Sequence, residues 1–124
     1  MPTLLLIDDD IRVRWRLQAL LSTAGYRVML AANAVEGLSL LHTVVVDVIV
    51  CDLMLPGMPG VHFVHRVRQS PDWQTIPLVL MHSAQQAYLV PHHAVTARLP
   101  VSCSAAAMLT TLATVLGQRC GPAV

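Results

Sequence analysis

At 124 residues the chain has the length of one domain with a sizeable core, and leaves no room for a second. Apolar residues make up 55% and charged ones 12%, yet no uninterrupted apolar run approaches the roughly 18 residues of a membrane span, so a soluble protein is expected. The net charge is +1 and the eight basic residues are all arginine and scattered, which leaves no nucleic-acid footprint.

The N-terminus, MPTLLLIDDD, has no basic segment and runs into acids after a short apolar stretch, so it does not resemble a signal peptide and the cytoplasm is the expected compartment. Cys51, Cys103 and Cys120 have no paired or CxxC spacing, which argues against a disulfide framework and a zinc site.

Strand-like and helix-like segments alternate along the chain, the pattern of a parallel sheet with helices on both faces. The first strand is TLLLI, Thr3–Ile7, an apolar run without in/out alternation, as expected when both faces of a strand are covered. In the helix that follows, Val13, Leu17, Leu20, Leu21 and Ala24 keep helical spacing while Arg12, Arg14 and Arg16 fall outside the stripe. Gly25 stops it where a C′ glycine belongs.

RVMLA, Arg27–Ala31, is the second strand, and Asn33 with Glu36 three residues on marks the start of a second helix whose inner face is Val35, Leu38 and Leu41. DVIVC, residues 47–51, is the third strand. A third helix over Gly60–Gln69 presents Val61, Val64 and Val67, and LVLM, residues 78–81, is the fourth strand. The segment AQQAYLVPHHAVTAR has Pro91 in its middle, leaving room for only a stub of helix before a weaker fifth strand at residues 95–99. A last helix over residues 103–116, capped by Ser102, turns Leu109, Leu112, Val115 and Leu116 inward and ends before Gly117.

The acids carry the chemistry. Asp8, Asp9 and Asp10 follow the first strand and Asp52 follows the third. In a parallel sheet all strand C-terminal ends share one edge, where open α/β folds bind ligands, so these carboxylates should converge. Converging carboxylates raise one another's pKa unless a cation neutralises them. Oxygen-only ligands suit a hard divalent ion, with Mg²⁺ the natural candidate, and such a site would handle phosphate. Asp10 directly precedes the first helix and is equally explained as its N-cap.

With these residues in place, the chain resembles a receiver domain of two-component response regulators over nearly its whole length. LLLIDDD is similar to the family's acidic pair after strand one, DVIVCDLMLPGMPG to its phosphoacceptor segment D-x-x-[ML]-P-x-M-x-G, and IPLVLMHSA to its fourth strand with a Ser/Thr-Ala end. The resemblance implies that residues 1–124 are a single flavodoxin-like receiver domain: a doubly wound α/β fold with a five-stranded parallel sheet in the order 2-1-3-4-5. It also implies that Asp52 is the phosphoacceptor, taking a phosphoryl group from a sensor histidine kinase or phosphotransfer protein. Asp8, Asp9, Asp52 and the backbone carbonyl of Met54 would hold Mg²⁺; Ser83 would hydrogen-bond a phosphoryl oxygen and Ala84 would keep the backbone close. Such a module is not an enzyme beyond slow self-dephosphorylation.

The sequence departs from this pattern in the half of the site that reads phosphorylation out. The family ends its fifth strand in lysine-proline; here Leu99-Pro100 stands there, and the chain contains no lysine at all. The neighbouring Arg98 should point to the opposite face unless a bulge re-aims it. Thr96 occupies the position of the family's switching aromatic, and the segment from Ser83 to Pro100 is short, which implies a truncated fourth helix. Removing a pairing cation and an aromatic latch removes contacts that would favour one conformer, so atypical or weakened readout is expected.

The remaining features carry less. His62 with His65 and His92 with His93 read as surface histidines, while His82 beside Ser83 is a candidate phosphate donor group or proton relay. Cys51 should face away from Asp52 as a buried thiol, and Trp73 and Tyr88 read as packing residues. The last helix is uncharged over residues 103–116, and its outer face of Ala, Ser and Thr suggests burial against a partner or a second copy. A phosphorylation-independent docking module and a small Mg²⁺-dependent phosphatase are the alternative functions.

Overall fold

A computed structural model of the chain describes residues 1–89 and 94–120. The element order is β1 (Thr3–Ile7), α1 (Ile11–Thr23), β2 (Arg27–Ala31), α2 (Ala34–Thr43), β3 (Val48–Asp52), α3 (Gly60–Gln69), β4 (Leu78–His82), a 3₁₀ segment (Ala84–Leu89), β5 (Ala97–Pro100) and α4 (Ala105–Cys120). All strand pairs are parallel and the order is β2-β1-β3-β4-β5, the doubly wound flavodoxin-like arrangement that the sequence implies. Ala84–Leu89 is the stub expected where the resemblance implies a fourth helix; Pro91, His92 and His93 lie outside the described residues.

Strand alternation divides the core in two. Leu5, Ile7, Ile49, Cys51, Leu78 and Leu80 join Phe63, Val64 and Val67 of α3 and Leu41 of α2 on one face. Leu4, Leu6, Val48, Val50, Val79, Met81 and Leu99 join Leu17 and Leu21 of α1 and Met108, Leu112 and Val115 of α4 on the other. Each central strand therefore buries both faces, which is why the strands are continuously apolar.

Local chemistry sets the helix ends. Asp10 caps α1, accepting from Arg12 N at 2.9 Å, and Gly25 at φ 101° sits just past the Ala24 C-cap, a left-handed position that glycine takes without Cβ strain. Asn33 caps α2, accepting from Glu36 N at 2.9 Å, while Glu36 returns a longer bond to Ala32 N at 3.4 Å.

Several sequence expectations need correction. Val35 is 68% exposed; α2 instead buries Ala34, Gly37 and Leu41, because Gly37 lets the helix approach until a Cβ there would meet Ile7 Cδ1 at 2.5 Å. Ala24 is exposed as the C-cap rather than part of the inner stripe. Phe63, fully buried on α3, belongs to the inner face beside Val64 and Val67. β3 begins and ends one residue later than expected and takes in Asp52. β5 is confined to Ala97–Pro100.

The last helix starts at Ala105, with Ser104 rather than Ser102 as its cap, since Ser104 Oγ accepts from Ala107 N at 3.1 Å. It also runs through Gly117 to Cys120 and so includes Arg119. Met108, Leu112 and Val115 are its buried residues, while Leu109 and Leu116 pack only in part.

Candidate functional site

The acids meet at the C-terminal edge of the sheet because β1 and β3 are adjacent and in register, Ile7 beside Cys51. One carboxylate oxygen from each of Asp8, Asp9 and Asp52 lies within 4.8 Å of the others. Asp8 is buried, Asp52 half-buried and Asp9 exposed, a gradient from sheet to solvent. A cleft of about 270 Å³ is lined by Asp8, Asp9, Asp10, Val13, Arg16, Asp52, Met81 and Val101.

Two of the carboxylates are each held by the backbone N–H two residues on. Asp8 accepts from Asp10 N at 2.9 Å and Asp52 accepts from Met54 N at 3.2 Å. Arg14 donates to the Asp8 carbonyl at 2.7 Å, pinning the turn from β1 into α1. Behind Asp52 the chain turns through Gly57 at φ 81° and comes back so tightly that a Cβ on Gly60 would stand 2.5 Å from the Asp52 carbonyl oxygen and 2.8 Å from Leu53 Cα. The glycine therefore sets how closely α3 seats beneath the Asp52 backbone.

Burial and mutual repulsion dominate the electrostatics. The Asp52 carboxyl is raised from 3.8 to about 6, first by burial and then by Asp8 and Asp9, against the lowering effect of the Met54 N–H. Asp8 is raised as well, chiefly by burial. Asp10, at the helix start, is lowered by the Arg12 N–H and guanidinium, the latter 3.5 Å away. A site that raises two neighbouring carboxyls is short of positive charge, and an all-oxygen donor set of this kind fits a hard divalent cation.

The other expected residues are distributed around this cluster. Met54 follows β3 with its side chain exposed. Ser83 and Ala84 follow β4 at the same sheet edge, and Ser83 N donates to Gln86 Oε1 at 3.3 Å. His82 is buried with Nδ1 2.9 Å from the Ser83 carbonyl, and strand alternation puts it on the opposite face from Met81, away from the acids. Cys51 is fully buried on that same far face, with its thiol raised well above its usual value by burial. His62 and His65 are exposed, and Trp73 packs edge-on to His42 with ring centroids 4.8 Å apart.

β5 has no bulge that re-aims Arg98. Arg98 pairs with Leu80 and Leu99 with Met81, in unbroken register. Leu99 thus faces the same side as Asp52, is 8% exposed and belongs to the same core as its neighbour Met81, while Arg98 faces the other side. Thr96 is tied to the far end of β4: its hydroxyl accepts from Leu78 N at 3.0 Å and its own N–H donates to the Leu78 carbonyl at 2.8 Å.

Arg16, Val13, Met81 and Val101 line the cleft without having been singled out in the sequence. Val13 reads from the sequence as part of the inner stripe of α1 and Arg16 as a residue outside it; only the way α1 crosses the sheet brings both to the cleft.

A family model described as the response regulator receiver domain matches residues 4–98. The chain belongs to this family. It is 41% identical to transcriptional regulatory protein AfsQ1 of Streptomyces coelicolor over 81 residues, which is 65% of this chain and 35% of that protein. The chain thus spans about a third, 35%, of a curated relative such as this one. Chemotaxis response regulator CheY4 of Vibrio cholerae superposes with a TM-score of 0.84 at 29% identity, over 93% of this chain and 98% of that one. The receiver domain of sensor histidine kinase PA1611 from Pseudomonas aeruginosa, solved with a magnesium ion coordinated in its active-site cleft, gives a TM-score of 0.86 at 21% identity, over 94% and 98% of the two chains. Receiver domains are signalling modules rather than enzymes of the ordinary kind, and they work with histidine kinases and phosphotransfer proteins. No described helix is long and apolar enough to cross a membrane.

Proposed function

We propose that this chain is a phosphoacceptor signalling module in which Asp52 takes a phosphoryl group from a histidine kinase or phosphotransfer protein. The observation that carries the reading is the convergence of Asp8, Asp9 and Asp52 within 4.8 Å, with the Asp52 carboxyl raised to about 6. In the transfer, an Asp52 carboxylate oxygen forms the new P–O bond as the donor's P–N bond breaks. The bonding pair stays on the donor imidazole, which leaves as neutral histidine because its other nitrogen already holds a proton.

Asp8, Asp9, Asp52 and the Met54 carbonyl would hold Mg²⁺, which supplies charge neutralisation to the incoming phosphoryl oxygens. This chain's own residues do the positioning. The Met54 N–H orients Asp52, the Arg14 and Asp10 bonds fix Asp8, and Ser83 stands at the neighbouring strand end to bond a phosphoryl oxygen. Readout departs from the family pattern: Leu99 is a core residue and Thr96 is bonded to β4, so neither can pair with phosphate or rotate as an aromatic latch. We place the module in the cytoplasm, where such donors act.

Intact mass after incubation with a small-molecule phosphodonor and Mg²⁺ tests this. A single phosphoryl adduct, lost in Asp52→Ala and without metal, is the expected result. Absence of an adduct on the natural chain would overturn it in favour of a docking module that works without phosphorylation.

A further inference from the structure

We propose that Arg16, on α1, supplies the cation that pairs with the phosphoryl group on Asp52, entering the cleft from the helix instead of from the end of β5. This rests on the phosphoacceptor reading above.

The need is set by charge. An aspartyl phosphate places about two negative charges beside the Asp8 and Asp9 carboxylates, and one divalent ion does not offset all of it. Among the described arginines only Arg16 lines the acidic cleft. Arg14 is committed to the Asp8 carbonyl, and Arg12 is 90% exposed beside Asp10. Arg68 bonds the Ala94, Gln74 and Ile76 carbonyls on the other face, and Arg98 faces away from Asp52.

Arg16 is exposed and makes no hydrogen bond and no ion pair with any described residue; its charge lies near the Cys103 thiol, so no carboxylate or carbonyl holds the guanidinium. Its place on the sheet is set by the helix that carries it. Leu17 and Leu21 anchor α1 on the face of the sheet that carries Asp52, Met81 and Leu99. Arg16 lies beside Leu17 and one turn beyond Val13, which shares the cleft. Arg16, Met81 and Val101 also line a second cavity of about 440 Å³ with Leu17, Leu20 and Met108. Leu17, Leu20 and Met81 thus offer the exposed arginine's stem apolar neighbours, and its length lets the head group turn between this cavity and the acidic cleft.

A guanidinium offers paired N–H donors that match two phosphoryl oxygens, which a single ammonium cannot do. Contact made from α1 would also carry the signal to the α1 and α4 side of the sheet instead of to β5.

The test compares the natural chain with Arg16→Ala, Arg16→Lys and Arg98→Ala. Titration with beryllofluoride in saturating Mg²⁺, as a mimic of the phosphoryl group, should show about tenfold weaker binding in Arg16→Ala and partial recovery in Arg16→Lys. Mg²⁺ alone should bind Arg16→Ala as tightly as, or more tightly than, the natural chain, because a nearby positive charge is gone; a merely structural role would weaken both. Arg98→Ala should match the natural chain. Equal beryllofluoride affinity in Arg16→Ala would overturn the role of Arg16 while leaving Asp52 as acceptor. Failure of the natural chain to bind beryllofluoride or form an adduct would overturn both.

Discussion

Asp52 is the residue at which folding and function conflict most directly. Its carboxyl holds a proton to about pH 6 in the fold, against an ordinary value of 3.8, so between these values the native state binds more protons than the unfolded chain. Stability is then fullest below the ordinary value and falls as pH rises through about 6. Thermal melts from pH 4 to 7.5 without divalent metal should show this decline in the natural chain and a flatter curve in Asp52→Asn, which should also be the more stable protein at pH 7.5. Adding Mg²⁺ at a hundred times its Kd should raise the natural chain by about 2.7 kcal/mol and leave Asp52→Asn nearly unmoved. Gly60 is the second decisive residue, since its added Cβ would press on Asp52 and Leu53 backbone that cannot give way. Gly60→Ala should cost about 1–3 kcal/mol in chemical denaturation and, on the proposed function, slow adduct formation on Asp52, because the strain falls on the Asp52 and Leu53 backbone.

At the scale of elements, the sequence carried β1, β2 and α3 to the residue, because apolar runs bounded by acids, Gly25 and Pro59 have few other readings. It placed Asp8, Asp9 and Asp52 at one edge because parallel topology alone does so. What it could not supply was lateral packing. Val35 and Ala34 are equally apolar, and only the close approach of Gly37 to Ile7 decides which one turns inward. Likewise Ser102 and Ser104 are equally good caps on paper, and the turn after β5 selects the second. Arg16 was legible only as a residue outside the apolar stripe of α1, and its place in the cleft depends on how α1 crosses the sheet. The elements differ in what holds them. Asn33→Ala should lower stability by about 1 kcal/mol through loss of the α2 cap, whereas Phe63→Ala should lower it by about 3–5 kcal/mol, both measurable by denaturant unfolding.

On the scale of the whole molecule, the sheet separates two cores. Leu99 belongs to the α1 and α4 core, while Arg98 and His82 lie on the α2 and α3 side. The outer face of α4 presents Ala105, Ala106, Thr110, Ala113 and Thr114 to solvent, in keeping with the uncharged surface expected from the sequence. The central position of β1 has a further consequence, for the order of assembly. β1 pairs with both β2 and β3, and the β1–β3 pairing alone brings the three clustered acids together before β4 and β5 are needed. The mutual repulsion of those acids therefore opposes the β1–β3 pairing itself. If that pairing belongs to the folding nucleus, Mg²⁺ will quicken refolding rather than only slow unfolding, and stopped-flow refolding with and without the ion distinguishes the two. Synthesis on the ribosome poses the same problem: the acidic edge is complete once β3 has emerged, with more than half of these 124 residues still to come.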